Sequence, residues 1–190
     1  PSHINSFIFL DGASGKDEFL GYRDFSGNPQ SVNPNSGIVF NANNQPGDMG
    51  TGLEPGYYAP QERAYRMNQL LDPKKNDWTV TDMKYIQQDT KHPRIKNFRE
   101  HFLTVLSEAS RRSEVFRKAG DILRNWDGVH GKNAVGPTIF HRLFYHLSIS
   151  IFADEIEEKG ALVLLNVSLV EKSMPQLLNN PQSPWWDNLK

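Results

Sequence analysis

"PTIFHRLFYHLSISIFADEI", Pro137 to Ile156, is the stretch on which the reading of the fold turns. Ile139, Leu143, Leu147 and Ile151 recur every fourth residue, with Phe140, Phe144 and Phe152 beside them, so a helix here is apolar around a wide arc. A helix with one apolar stripe can cover a core. One this broad needs neighbours on several sides and belongs at the centre of a helical lobe.

The flanking sequence supplies those neighbours. Toward the N-terminus, "SEVFRKAGDILRNWDG" spaces Val115, Phe116, Ala119, Ile122, Leu123 and Trp126 helically before Gly128 stops it. Before that, "RIKNFREHFLTVLSEAS" does the same with Ile95, Phe98, Phe102, Val105 and Leu106. In "DWTVTDMKYIQQDT", Thr79 and Asp82 are three apart, as in a capping box, which predicts a helix beginning near Val80. "PQERAYRMNQLLD" opens on Pro60, whose missing N–H costs nothing at a helix start, and puts Ala64, Met67, Leu70 and Leu71 on one face. Toward the C-terminus a helical run from about Ala161 to Leu178 carries Pro175, which is expected to interrupt it, and "NNPQSPWWDN" follows. About six helices result.

Residues 1–59 have a different texture. Gly, Pro, Asn, Asp and Ser crowd the segment and set turns. Strands are expected only in the short β-type runs Ser6–Leu10 and Gly37–Asn41. The expected fold class is α+β, with short strands and long loops in the N-terminal third (1–59) and a mainly helical lobe (60–190), without a linker between them. So large a share of loop is unusual for a self-sufficient domain.

The composition restricts function. Of the 190 residues 37% are hydrophobic and 23% charged, a globular balance somewhat short of apolar side chains, so a partner surface is expected to complete the core. The net charge of -1 and the absence of a basic cluster argue against nucleic acid as a partner. Cysteine is absent, which excludes disulfides and thiolate chemistry. "ALVLLNV", the longest apolar stretch, is far below the ~20 residues that cross a membrane, and "PSHINSFIFLDG" lacks the basic start and small-residue cleavage site of a secretion signal.

The titratable residues form no obvious site. His141 and His146 are five apart and do not share a helix face, while His92 precedes a proline and His101 lies on an amphipathic helix, so the histidines read as structural or solvated. "GDMGTG", Gly47–Gly52, lacks the Lys and the strand-to-helix setting of a phosphate loop, and Asp154, Glu155, Glu157 and Glu158 read as a solvated face. No Ser stands in a nucleophile elbow.

One cluster is harder to dismiss. "NPNSGIVFNANNQP", Asn33 to Pro46, runs through Ile38-Val39-Phe40 into Asn41, Asn43 and Asn44. Together with "APQERAYRMNQLLD", "WTVTDMKYIQQDT", "WDG" at Trp126 and "SPWWDN", it resembles, in order and over nearly the whole chain, the middle of the large chain of the penicillin amidase family. The asparagine block, the Glu62-Arg63 pair and Trp126-Asp127-Gly128 carry the resemblance; the intervening helices match in pattern.

The resemblance implies part of a larger αββα N-terminal-nucleophile hydrolase that cleaves the amide between a hydrophobic acyl group and an amine. Penicillins and N-acyl homoserine lactones are among such substrates. The nucleophile would be the first residue of the large chain, usually Ser, with its own α-amine as base, a group whose pKa of ~7.7–8.0 leaves it partly neutral near physiological pH. By position Asn43 would be an oxyanion-hole donor, with Asn33, Asn35 and Asn41 shaping the backbone. Arg63 would support the active site, and Glu54 would be a calcium-binding carboxylate. No cofactor is required, although the resemblance allows a structural calcium.

Pro1 cannot serve as that nucleophile, so this chain is expected to be an internal segment, inactive alone, whose partners are the small chain, the rest of the large chain and a small acyl amide. A periplasmic or extracellular location is implied by resemblance. The alternative is a stand-alone, non-catalytic binding module that uses Tyr57, Tyr58, Trp185 and Trp186 as a contact surface.

Overall fold

The computed structural model describes residues 9, 11–16, 18–22, 24–46, 58–59, 61–93, 95–165 and 168–186. The chain divides into two compact units, Pro1–Asp77 and Trp78–Lys190.

In the first unit the described residues up to Pro46 are turns and extended backbone with one short 3-10 turn, Phe25–Gly27, capped by the Asp24 carboxylate. The strand expected at Gly37–Asn41 is not formed, because no neighbouring strand among the described residues pairs with it, and a strand without a ladder has no backbone hydrogen bonds to hold it. The strand expected at Ser6–Leu10 lies, Phe9 apart, outside the described residues, as do Gly47–Gly52, Glu54, Tyr57 and Pro60. Helix α1, Glu62–Leu70, lies near the end of the unit and buries Ala64. Phe9, Phe19, Leu20, Tyr22, Phe25, Val32 and Val39 are exposed.

The second unit is helical: α2 (Val80–Gln87), α3 (Ile95–Ser110), α4 (Glu114–Asn125), α5 (Gly136–Leu165) and α6 (Ser168–Leu178). The expected capping box is present, Thr79 Oγ1 accepting from Asp82 N at 3.2 Å while Thr79 N donates to Asp82 Oδ2 at 2.8 Å. Ser113 caps α4 by accepting from Val115 N.

α3 packs most extensively on α4, and α5 on α6 and α4. Phe98 and Phe102 each meet Phe140 edge-on with ring centroids 6.0 and 5.5 Å apart, the geometry aromatic quadrupoles prefer, and Leu123, Ile151 and Met174 of the same core cluster are sealed from solvent.

Two details depart from the sequence reading. The run beginning at Ala161 continues α5, whose helical backbone breaks at Glu157 (φ 60°, ψ 160°), and α6 starts afresh at Ser168. Pro175 does not interrupt α6 but lies inside it. Its ring costs about 3 kcal/mol in a helix interior, and burial of Met174 and Leu177 on either side opposes that cost.

The turn after α4 ties the unit together. Trp126 is buried, its Nε1 donates to Val129 O at 2.8 Å, and its own carbonyl accepts from Arg99 Nη1 of α3 at 2.8 Å. Gly128 has φ +91°, and Lys91 and Val129 form an antiparallel bridge flanked by His92 N to Gly128 O and His130 N to Thr90 O. Gly136 then starts α5 flat against the indole, since a β-carbon there would sit 2.5 Å from Trp126 Cγ.

Candidate functional site

The site is built from a turn, an apolar stitch and a helix, all within the first unit. Gly37 N donates to Pro34 O at 2.8 Å, closing the turn that "NPNSG" predicts, with Asn33 (φ 47°) and Gly37 (φ 65°) in the left-handed region. The chain then runs extended through Ile38 and Phe40, both half-buried, to Ala42, which is fully buried.

Around Ala42 the asparagines have separate duties. Asn41 Oδ1 accepts from Asn43 N at 2.6 Å, and Asn44 Oδ1 accepts from Ala42 N at 3.2 Å, so two side chains bind the backbone of the turn. Asn43 has φ 58°, a conformation that Asn tolerates better than other side-chain-bearing residues, and its carbonyl accepts from Ala59 N at 2.7 Å. Asn43 is thereby held at both N–H and C=O while its side chain stays exposed.

Helix α1 supplies the remaining contact. Ala64 is buried and Arg63 is exposed one position before it. Arg63 Nη2 donates to Asn43 Oδ1 at 3.2 Å across twenty residues of sequence. Asn43 and Arg63, singled out separately in the sequence, therefore touch. A guanidinium on the amide oxygen fixes which end of the carboxamide is N, pulls electron density toward the oxygen, and makes Nδ2–H a better donor. No described residue accepts from Nδ2. Chemically, the arrangement offers an oriented, neutral N–H beside a positive charge.

Sequence reasoning missed Ala59, whose backbone N–H anchors the Asn43 carbonyl, because a backbone donor leaves no signature in side-chain identity. Glu54 lies outside the described residues, and among the described residues no three His, Asp or Glu side chains are placed to hold a metal ion. Of the terminal tryptophans of the second unit, Trp185 stays 38% exposed with its ring 5.2 Å from Phe152, and Trp186 Nε1 donates to Asn180 O at 2.9 Å. No helix among the described residues is long and apolar enough to cross a membrane.

A family profile described as penicillin amidase matches residues 1–190, the whole chain. No curated protein and no solved structure matches it.

Proposed function

The chain belongs to the penicillin amidase family, and on that premise we propose that Asn43 is an oxyanion-hole donor of an acylase that hydrolyses the amide between a hydrophobic acyl group and an amine. When the nucleophile attacks the amide carbon, the carbonyl π electrons move onto oxygen, and the Asn43 Nδ2–H donates to the oxygen as it becomes negative. Collapse of the tetrahedral intermediate then expels the amine. A neutral donor held in advance suits this step, because it interacts weakly with the ground-state carbonyl and strongly with the oxyanion, and it needs no reorganisation as charge develops.

Arg63 acts through Asn43 as a positioning residue. The proposal assigns the attack to a nucleophile elsewhere in the enzyme. It also assigns the exposed apolar side chains of the first unit, Phe19, Tyr22 and Phe25 among them, to contact with the rest of the catalytic body. No step runs through a metal or cofactor, and penicillins and N-acyl homoserine lactones are the substrate types to try first. The single observation that carries the reading is the Arg63 hydrogen bond to Asn43 Oδ1.

The test uses the active enzyme that contains these residues and a chromogenic phenylacetyl or long-chain acyl nitroanilide. Asn43→Asp keeps the oxygen that Arg63 binds and removes the donor; Asn43→Gly keeps the positive φ and removes the side chain. Each is expected to lower kcat about 100- to 1,000-fold, the loss typical of one oxyanion donor, with little change in melting temperature. Turnover within a few-fold of wild type in both, or a loss matched by unfolding in both, would overturn the assignment.

A further inference from the structure

The second unit contains a histidine cluster that the proposed reaction does not use. His130, on the turn after α4, and His141, in the second turn of α5, face each other with their Nε2 atoms 3.0 Å apart. His92, before α3, has its ring 6.3 Å from that of His130 and its Nε2 3.5 Å from Glu171 Oε1 of α6. The three histidines lie 38 and 11 positions apart in sequence, so no spacing rule would have grouped them.

Hydrogen-bond accounting fixes the protons. His130 Nδ1 is 3.1 Å from Thr90 O, and a carbonyl can only accept, so Nδ1 carries a proton. In neutral His130 the Nε2 atom is then a lone pair, and the contact with His141 requires His141 to supply the N–H. A proton added to Nδ1 of His141 leaves that hydrogen bond intact. A second one, on Nε2 of His130, removes the acceptor and sets two N–H groups and two positive charges face to face.

We propose that the His130–His141 contact is an acid-released latch between the Trp126–His130 turn and α5: it holds while the pair shares at most one added proton and opens when the pair takes up a second. The setting makes the release consequential. The Trp126 ring lies 5.3 Å from His130, and Phe140, at the centre of the aromatic core, lies 5.3 Å from the His141 ring.

The charged groups around the latch favour release in acid. His141 titrates below the ordinary histidine range, chiefly because burial disfavours its charged form and then because of His130 and His92, while Glu171 opposes the shift. From α3, Arg99 adds a positive charge under the turn through its bond to Trp126 O. The α4 charges Glu114, Arg117, Asp121 and Arg124 pair with one another on the exposed side of that helix. With the folded-state pKa lowered, the unfolded chain binds the proton more tightly. The contribution of His141 to stability is therefore full above the ordinary histidine pKa of ~6.5, begins to fall as pH drops through it, and is lost below the folded-state value, and release of the latch by the second proton adds to that loss.

The test compares urea midpoints of the whole chain at about pH 8 and about pH 5, on either side of the histidine range, for wild type, His141→Gln and His146→Gln. His146 is exposed on the same helix, as the outer side of His141 is, but lies outside the cluster. Wild type and His146→Gln are expected to lose stability by the same amount on acidification, and His141→Gln to lose less than half as much. An undiminished acid shift in His141→Gln would overturn the latch. Should that variant fail to fold, the ring-proton resonances of the wild type decide. Coupled titration of His130 and His141 supports the proposal, and independent titration at the His146 midpoint refutes it.

Discussion

Asn43 illustrates how much one residue's backbone and side chain can be asked to do together. Its left-handed φ sets the direction of the side chain, Asn41 and Ala59 hold its N–H and C=O, and Arg63 donates to its oxygen, which leaves the Nδ2 hydrogens on the far side of the carboxamide. The asparagine was legible in the sequence because its motif is; the aim of the side chain was not, because it depends on a backbone donor and a twenty-residue return of the chain. Gly136 shows the opposite limit. A glycine opening a helix passes for an ordinary cap in sequence, yet a β-carbon there would lie 2.5 and 2.8 Å from Trp126 atoms, whereas at Gly12 it meets nothing within 4 Å. Gly136→Ala is expected to destabilise the second unit by about 1–3 kcal/mol, as overpacking does, and Gly12→Ala to leave its melting temperature unchanged, both read by thermal denaturation.

Among the elements, those with strong local signals matched their expectation. α2 begins where Thr79 and Asp82 say it should, and α3 buries Ile95, Phe98, Phe102 and Leu106 of its expected face, whereas of the face expected on α4 Leu123 is buried and Val115, Phe116 and Ile122 stay exposed. Elements whose state depends on a distant partner did not match. Ile38-Val39-Phe40 has strand composition but no strand beside it among the described residues, and Pro175 is retained inside α6 because the residues around it are buried. At eight residues, α2 is too short to persist on propensity and leans on its box. Thr79→Ala is expected to lower stability by about 1 kcal/mol, while Thr79→Ser, which keeps the hydroxyl, should lower it by clearly less, measured by urea denaturation of the same protein.

On the scale of the whole molecule, the chain is two units whose division falls between Asp77 and Trp78, after the first helix and not before it. The turn-rich texture of residues 1–59 and the helical periodicity that follows were visible in sequence, but α1 joins the first unit, and with it Arg63, which hydrogen-bonds Asn43. The short segment between α1 and α2 carries Lys74, exposed, and Lys75. Brief trypsin treatment is expected to cut there early and to release a C-terminal product that retains its far-UV helix signal, checked by mass spectrometry and circular dichroism; a product without helix would mean that the second unit depends on the first. The placement of aromatic residues has one practical outcome. All four tryptophans, Trp78, Trp126, Trp185 and Trp186, belong to the second unit, while the first unit holds tyrosines and phenylalanines and no tryptophan. Red-edge-excited emission therefore originates in the second unit, and no tryptophan lies in the asparagine turn itself. A fluorescence melt of an Asn43 variant therefore reports on the helices first, and the integrity of the turn has to be followed with a probe placed there on purpose.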